Sequence, residues 1–370
     1  MDVKSRITTS VCVFFHHVLC NTGHGSIFAL QSILWRKNID HVTPPDLGRL
    51  HSKGKAFTHT IHVVLHIFTA ELTVSLPLST MGYFIKGWCF VAFVAIIGYL
   101  YRDTFDPESL ANAKVLVTGA STGIGEEIAY HYSRAGAHLL LTARREDALL
   151  KVKTKCLKLG AKSVSLAPAD MASSEAREKV MEQAITAMGG LDYLVLNHIG
   201  TSPFEMWDGN INYIRWLMEV NFLSYVHLAT MALPHLTESK GSVVVLSSLT
   251  GKIATPFTTS YGATKFALDG FFWSLRHELA MKNVQVSITL CILGLINTQS
   301  AMEKVKDKIA MPAYPAQDAA LAVVSAGTSR VSEMYYPWYV RPVCFVRDWF
   351  PQSRDWMIQR SYQQASDEKH

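Results

Sequence analysis

The sequence predicts an α/β fold: a doubly wound parallel sheet with helices on both faces, preceded by an N-terminal hydrophobic anchor. Three observations predict it. From Lys114 onward, short apolar runs suited to strands buried on both faces alternate with longer stretches of helical period. A strand–glycine–helix–strand unit, KVLVTGASTGIGEEIAYHYSRAGAHLLLTARR, opens that series at Lys114 to Arg145. The polar side chains able to do chemistry fall at or near strand C-terminal ends, where open α/β sheets bind ligands.

The chain of 370 residues is long enough for one large domain with an appendage. Nearly half of it is hydrophobic and the net charge is only +5, so general disorder is excluded and no basic run marks a nucleic-acid partner. Cys12, Cys20, Cys89, Cys156, Cys291 and Cys344 show no CxxC spacing and read as free or buried thiols.

Residues 1–80 form an extension of unassigned role. They hold eight of the fifteen histidines, and His59, His62 and His66 fall at helical spacing without the further ligand signature a metal site needs. No metal is predicted there, and the alternative reading of these residues is that Met81 is the natural start and the stretch before it is not native. From Gly87 to Tyr101 no charged residue occurs. Extended back to Met81, with Lys86 reaching outwards, residues 81–105 match a signal-anchor of about 20 residues. Bulky Tyr101 and Arg102 disfavour cleavage. With Lys86 before the run, and Asp103, Asp106 and Glu108 after it, the positive-inside tendency predicts a C-terminal domain facing the lumen of the endoplasmic reticulum. A secreted form is the alternative.

The domain spans residues 106–337. Val115 to Val117 is a strand, and Gly119, Gly123 and Gly125 permit a tight turn against a phosphate. The helix from Ile124 to Arg134 aims its N-terminus at that phosphate, which makes the unit Rossmann-type. Leu139–Thr142 is a strand; Glu146–Leu159, a helix; Ser163–Ala167, a strand ending near Asp170 and Met171. Ser173–Met188 is a capped helix, and Leu191–Leu196 a strand ending in Asn197, His198, Ile199 and Gly200. One long helix covers Asn212–Leu236. Ser242–Leu246 is a strand leading to Ser248, Tyr261–Met281 a helix, and Val284–Leu290 a further strand. The loop after Gly294, with Met302, Ile309, Met311 and Pro312, reads as an apolar lid. In residues 338–370, aromatic residues alternate with Arg341, Arg347 and Arg354. That segment reads either as a membrane-surface or dimer segment, or as a helix that finishes the core.

Tyr261 and Lys265 stand four apart and share a helix face. A phenol ionises near pH 10, so use near neutrality takes a shift of about three units, roughly 4 kcal/mol. A neighbouring ammonium can supply much of that. Ser248, at a strand end, can hold a substrate carbonyl, and Asn221 lies where helix propensity gives it no reason to be.

The ordered set TGASTGIG (118–125), NHIG (197–200), Ser248 and Tyr261-x3-Lys265 resembles the short-chain dehydrogenase/reductase family. Within it, MEVNFLSYV (218–226), SSLTGK, KFALDGFF (265–272) and ITLCILGLI (288–296) resemble the hydroxysteroid dehydrogenases. The resemblance covers residues 81 to 350 or so. It implies that Tyr261 moves the proton, Lys265 binds the nicotinamide ribose and lowers the tyrosine pKa, Ser248 orients the substrate carbonyl and Asn221 completes a relay. It implies a cofactor cradle of Gly119, Ala120, Ser121, Thr122, Gly123, Ile124 and Gly125. Asp170 and Met171 would lie at the adenine, Asn197, His198 and Ile199 at the ribose, and Ile296, Asn297 and Thr298 at the nicotinamide. The family commonly carries Asn-Asn-Ala-Gly where this chain has Asn197-His198-Ile199-Gly200.

Arg144 and Arg145 stand where an acidic residue would take ribose hydroxyls, so they suit a 2′-phosphate and NADP(H). Glu146 and Asp147, just beyond, read as a helix first turn. The expectation is a membrane-anchored, homodimeric oxidoreductase interconverting a lipophilic ketone and secondary alcohol, a steroid being the leading class. A retinoid or other lipid carbonyl reductase, or a catalytically quiet binding protein of the same fold, is the alternative.

Overall fold

A computed structural model of the chain describes residues 106–305 and 312–367, together with residue 87 and residues 89–93. Two compact units divide it, Met1–Ile97 and Gly98–His370. Of the first unit, residues 87 and 89–93 are helical. The expectations for residues 1–80, for most of the anchor at 81–105, and for Ile309 and Met311 of the lid lie outside the described residues. Among the described residues, no helix is long and apolar enough to cross a membrane, and no group of potential metal ligands gathers.

The second unit is built on parallel strands. These are β1 (Lys114–Thr118), β2 (His138–Thr142), β3 (Ser163–Leu166), β4 (Tyr193–Leu196), β5 (Ser242–Ser248) and β6 (Ser287–Leu293). A short parallel pair, β7 (Ile296–Asn297) and β8 (Tyr314–Pro315), follows, and then β9 (Glu333–Tyr336). The main sheet has seven strands in the order β3-β2-β1-β4-β5-β6-β9, every neighbour parallel. Its strand order reverses between β1 and β4, and that switch point opens a crevice beyond their C-terminal ends.

The helices are α1 (Gly123–Arg134), α2 (Glu146–Leu159), α3 (Ser174–Met188), α4 (Ile211–Met218), α5 (Ser224–Ser239) and α6 (Thr259–Met281). After them come α7 (Gln299–Val305), α8 (Ala316–Thr328), α9 (Val340–Val346) and α10 (Pro351–Asp367). Alternate strand residues feed two cores, as the period of two requires. Val115, Val117, Leu139 and Leu141 pack with Ile128 and Tyr132 of α1, Leu149 of α2 and Val323 of α8. Leu116, Leu140 and Leu194 pack with Val180 of α3, Leu228 of α5, and Leu268 and Phe272 of α6. Each such side chain, fully buried, contributes about 1.5–3 kcal/mol. Both faces of the sheet are covered, which explains why its strands are apolar throughout rather than alternating.

Three features differ from the sequence expectations. The single helix expected over Asn212–Leu236 is interrupted: a π-helical turn, Glu219–Leu223, separates α4 from α5. An inserted π turn leaves the apolar pattern on either side intact, so periodicity cannot see it. The strand expected at Val284–Leu290 begins later, at Ser287. Asn283 takes a left-handed φ of 55° and the Val284 N–H bonds to Leu279 O, so these residues close α6 instead. The seventh strand, β9, and helix α8 had no sequence expectation; β9 carries Glu333 and is only half buried. At the C-terminus, Val340 is buried and finishes the core, whereas Trp338, Phe345, Trp349, Phe350 and Trp356 are exposed.

Candidate active site

The glycine turn after β1 is shaped by contact rather than by flexibility alone. Gly119 has φ +65°, and a Cβ there would stand 2.7 Å from His198 Cα. A Cβ on Gly125 would collide with Gly119 O and Asn197 Nδ2. Thr298, in the segment after β7, lies over the turn, its Cγ2 3.0 Å from the position of a Gly123 Cβ. The cradle therefore brings Gly119, Gly123, Gly125 and Thr298 together. Thr122 at the N-cap of α1 makes no side-chain cap, which leaves the first N–H groups of the helix for an anion.

Asn197 and His198 turn their side chains inwards. Asn197 Nδ2 donates to Thr118 O at 3.1 Å and to Gly119 O at 3.0 Å, holding the turn. His198 is buried; Nδ1 lies 2.9 Å from Thr118 Oγ1 and Nε2 2.7 Å from Ser224 Oγ. Burial, reinforced by the charge of Lys265, holds its imidazole down to about 3, so it is neutral. The Thr118 and Ser224 hydroxyls donate in turn to Val195 O and Val220 O. Of this trio only Ile199 offers an exposed side chain.

Arg144 and Arg145 are exposed at the C-terminal end of β2. Glu146 and Asp147 occupy the first turn of α2, as their place in the sequence suggests. Asp170 folds back, its Oδ1 accepting from Ala172 N at 3.0 Å. Met171 is buried, and its carbonyl accepts from Arg177 Nη1 at 2.7 Å. The same nitrogen reaches Glu219 Oε1 at 2.7 Å, so one buried arginine ties the turn after β3 to the start of the π turn. No sequence signal distinguished Arg177 from the other charges of α3.

Asn221 sits within the π turn, fully buried. Its Oδ1 accepts from Gly200 N at 2.7 Å and its Nδ2 donates to Thr264 Oγ1 at 3.2 Å. The side chain thus joins the end of β4 to α6, and a relay through Asn221 would run through its main chain. Lys265, 1 % exposed, donates from Nζ to Leu246 O at 2.8 Å and lies 5.6 Å from the ring centre of Tyr261. Burial lowers its pKa to about 7, with the negative charge of Asp269 in partial opposition. Burial pushes Tyr261 up to about 12, while a hydrogen bond from Ser248 pulls it back. At neutral pH the phenol therefore carries its proton. Ser248 Oγ accepts from Thr250 N at 3.2 Å and from Thr250 Oγ1 at 3.0 Å. Ser248, Tyr261 and Lys265 meet at the C-terminal end of β5, a proton donor and a second hydroxyl beside a buried cation. That set can protonate a developing alkoxide or take its proton back.

Residues 113–309 match the short chain dehydrogenase family. The chain belongs to the short-chain dehydrogenase/reductase family. Among its curated relatives is a hydroxysteroid 11-beta-dehydrogenase 1-like protein of Xenopus tropicalis, 72 % identical over 76 % of this chain and 99 % of that one. Its counterpart in Danio rerio is 56 % identical over 74 % of this chain and 94 % of the relative. An alcohol dehydrogenase of Thermococcus sibiricus, solved with 5-hydroxy-NADP, is 25 % identical, with a TM-score of 0.53 over 60 % of this chain and 94 % of that chain. A Burkholderia phymatum short chain dehydrogenase/reductase in complex with NAD shares the fold, with a TM-score of 0.60 over 66 % of this chain and 96 % of that one at 18 % identity. As a short-chain dehydrogenase/reductase, the protein is an oxidoreductase acting on CH–OH groups with a nicotinamide dinucleotide.

Proposed function

We propose that this short-chain dehydrogenase/reductase interconverts a lipophilic ketone and its secondary alcohol with NADP(H), a steroid being the substrate class. The observation that carries the reading is the buried ammonium of Lys265 beside the protonated phenol of Tyr261 and the Ser248 hydroxyl. The names of the relatives, hydroxysteroid 11-beta-dehydrogenase 1-like proteins, support the steroid class. Exposed Arg144 and Arg145 at the end of β2 favour a 2′-phosphate over bare ribose hydroxyls.

The residues present fit the cofactor: a glycine turn packed so closely against Asn197 and His198 that Gly119 and Gly125 admit no side chain, leading into an uncapped helix N-terminus whose N–H groups suit a pyrophosphate. Bound there, NADP(H) supplies the hydride. The protein's own part is proton transfer and orientation. In reduction, Ser248 donates a hydrogen bond to the substrate oxygen and Tyr261 gives it a proton. Lys265 stabilises the phenolate left behind. In oxidation the phenolate takes that proton back.

The protein is proposed to be held in the endoplasmic reticulum membrane by residues 81–105, with the catalytic domain lumenal, and to work as a homodimer. The exposed aromatic residues of 338–357, interspersed with arginines, suit a membrane surface or a second copy. Microsomes containing the chain, given NADPH or NADP with keto- and hydroxysteroids, retinoids and simple lipid ketones, test the reading by mass spectrometry. Turnover of a steroid by the wild type and not by Tyr261→Phe is expected. Wild-type turnover matched by Tyr261→Phe would refute the assignment, and turnover confined to retinoids would move the substrate class.

A further inference from the structure

We propose that Thr250 is a positioning residue: it occupies the lone pairs of Ser248 Oγ and so directs the serine proton towards the substrate oxygen. The inference rests on the oxidoreductase reading above. A serine hydroxyl has one proton and two lone pairs. In this protein both lone pairs are spoken for by a single residue. The Thr250 N–H donates to Ser248 Oγ at 3.2 Å, and the Thr250 hydroxyl donates to the same oxygen at 3.0 Å. The only valence left on Ser248 is its proton, which points away from Thr250, to the side where the Tyr261 phenol stands. A hydroxyl that accepts two hydrogen bonds is also the stronger donor, because successive bonds polarise one another.

The local chain holds this geometry in place. Ser248 is extended, φ −147° and ψ 159°, and caps the short 3-10 turn Leu249–Gly251. Ile253 and Lys252 both donate from the main chain to Leu249 O, at 2.8 and 3.0 Å, so the turn is closed on itself. On its far side Gly251 lies against Lys265, where a Cβ would stand 2.9 Å from Lys265 Cβ. Thr250 O is 3.3 Å from the position of a Gly262 Cβ, which sets the turn against the first turn of α6, next to Tyr261. Thr250 is therefore packed between Ser248 and the helix turn that carries Tyr261, the two groups whose protons the reaction uses. A residue lacking the hydroxyl would fill the same space, but would free one lone pair of Ser248 and let its proton swing among alternatives.

The test compares the full-length protein with Thr250→Val, Thr250→Ser, Thr250→Cys and Ser248→Ala, each with NADPH and the ketone that the wild type reduces. Thr250→Val keeps the shape and the main-chain donor and removes only the hydroxyl. Its kcat is expected to fall about tenfold, about 1.4 kcal/mol, with KM unchanged. Thr250→Ser restores the rate, and Thr250→Cys, with only a weak S–H donor, falls between the two. A merely structural role would move thermal stability or KM and leave valine, cysteine and serine unranked. Thr250→Val at the wild-type kcat beside an inactive Ser248→Ala overturns this proposal alone. Failure of Thr250→Ser to recover also overturns it. A wild type that reduces no ketone overturns the oxidoreductase assignment, and this proposal with it. If Thr250→Val does not fold, the ranking of serine above cysteine decides.

Discussion

Two lysines on either side of the start of α6 are treated in opposite ways. Lys252 is paired: its Nζ lies 2.5 Å from Asp269 Oδ2 and 2.8 Å from Glu333 Oε1, and 5.2 Å from the centre of the Trp273 ring. Burial presses its pKa down, yet its hydrogen bonds to Asp269 and Glu333 carry it above the ordinary lysine value. Lys265 is more deeply buried, and among the described residues it makes no ion pair; its ammonium donates to Leu246 O. Burial takes it down to about 7. The first lysine is an architectural tie between the 3-10 turn, α6 and β9. The second keeps its charge available to a neighbouring oxygen, at the expense of stability. Residue type and burial alone do not separate them; the placement of carboxylates does.

The sharpest way to break this comparison is to remove each ammonium in turn. Lys265→Met is expected to lower kcat by about 10²–10⁴-fold, with stability in denaturant equal to or above the wild type. Lys252→Met leaves Asp269 and Glu333 facing each other without their cation and is expected to cost about 3 kcal/mol or more of stability. The fraction that remains folded keeps most of its activity. A fully stable, inactive Lys252→Met would erase the distinction.

The same contrast has a pH signature in the cofactor-free protein. Lys265 has a folded pKa of about 7 against 10.5 in the open chain. Below pH 7 both states hold the proton; between 7 and 10.5 the folded state releases it first, so stability attributable to Lys265 rises through that window. Lys252 behaves in reverse. Its raised pKa contributes stability that is complete below 10.5 and is lost as pH climbs through the folded value. In unfolding followed from pH 7 to 10, the advantage of Lys265→Met over the wild type should shrink as pH rises. Parallel curves would mean that Lys265 is not desolvated as described.

Asp269 sits between the two lysines and supports both. It pairs with Lys252, accepts from Ser247 Oγ at 3.1 Å and pulls the Lys265 pKa upward. Asp269→Asn should therefore shift the Lys265-dependent limb of the kcat/KM profile to lower pH while Glu333 retains Lys252. A profile that stays in place would show that the two lysines are electrostatically separate.

Little of this contrast was legible in the sequence, although much of its framework was. Tyr261 and Lys265 could be placed on one helix face by spacing, and Gly119, Gly123 and Gly125 by their position between strand and helix, because those signals are local. Strands β1 to β6 were recoverable from apolar runs for the same reason. Glu333 could not be assigned to Lys252, since β9 joins β6 only through the fold and its half-buried, tyrosine-rich sequence lacks the apolar run of the inner strands. Asn221 drew notice for its poor helix propensity, but the π turn that explains its place leaves no mark on periodicity. Arg177, Thr118, Thr264 and Thr250 were invisible because each acts through a bond to one specific main-chain or hydroxyl oxygen.

The smallest expected effect tests how much of the Lys252 cluster comes from its aromatic neighbour. Trp273 is partly exposed, donates from Nε1 to Glu333 Oε1 at 3.1 Å, and lies beside the ammonium of Lys252 and the guanidinium of Arg276. A cation over a partly exposed indole contributes about 0.5–1 kcal/mol, and a hydrogen bond to a charged carboxylate about 1.5–3 kcal/mol when it is well formed. Trp273→Phe keeps a ring but loses the N–H, so its cost should be about 1–2 kcal/mol in denaturant unfolding, below that of Lys252→Met. Its kcat should be unchanged, because Tyr335 still donates to Glu333 Oε2 at 2.6 Å and keeps that carboxylate aimed at Lys252. If Trp273→Phe destabilised the protein as much as Lys252→Met, the cluster would be held by the indole rather than by its ion pairs, and the contrast between the two lysines would rest on packing instead of charge.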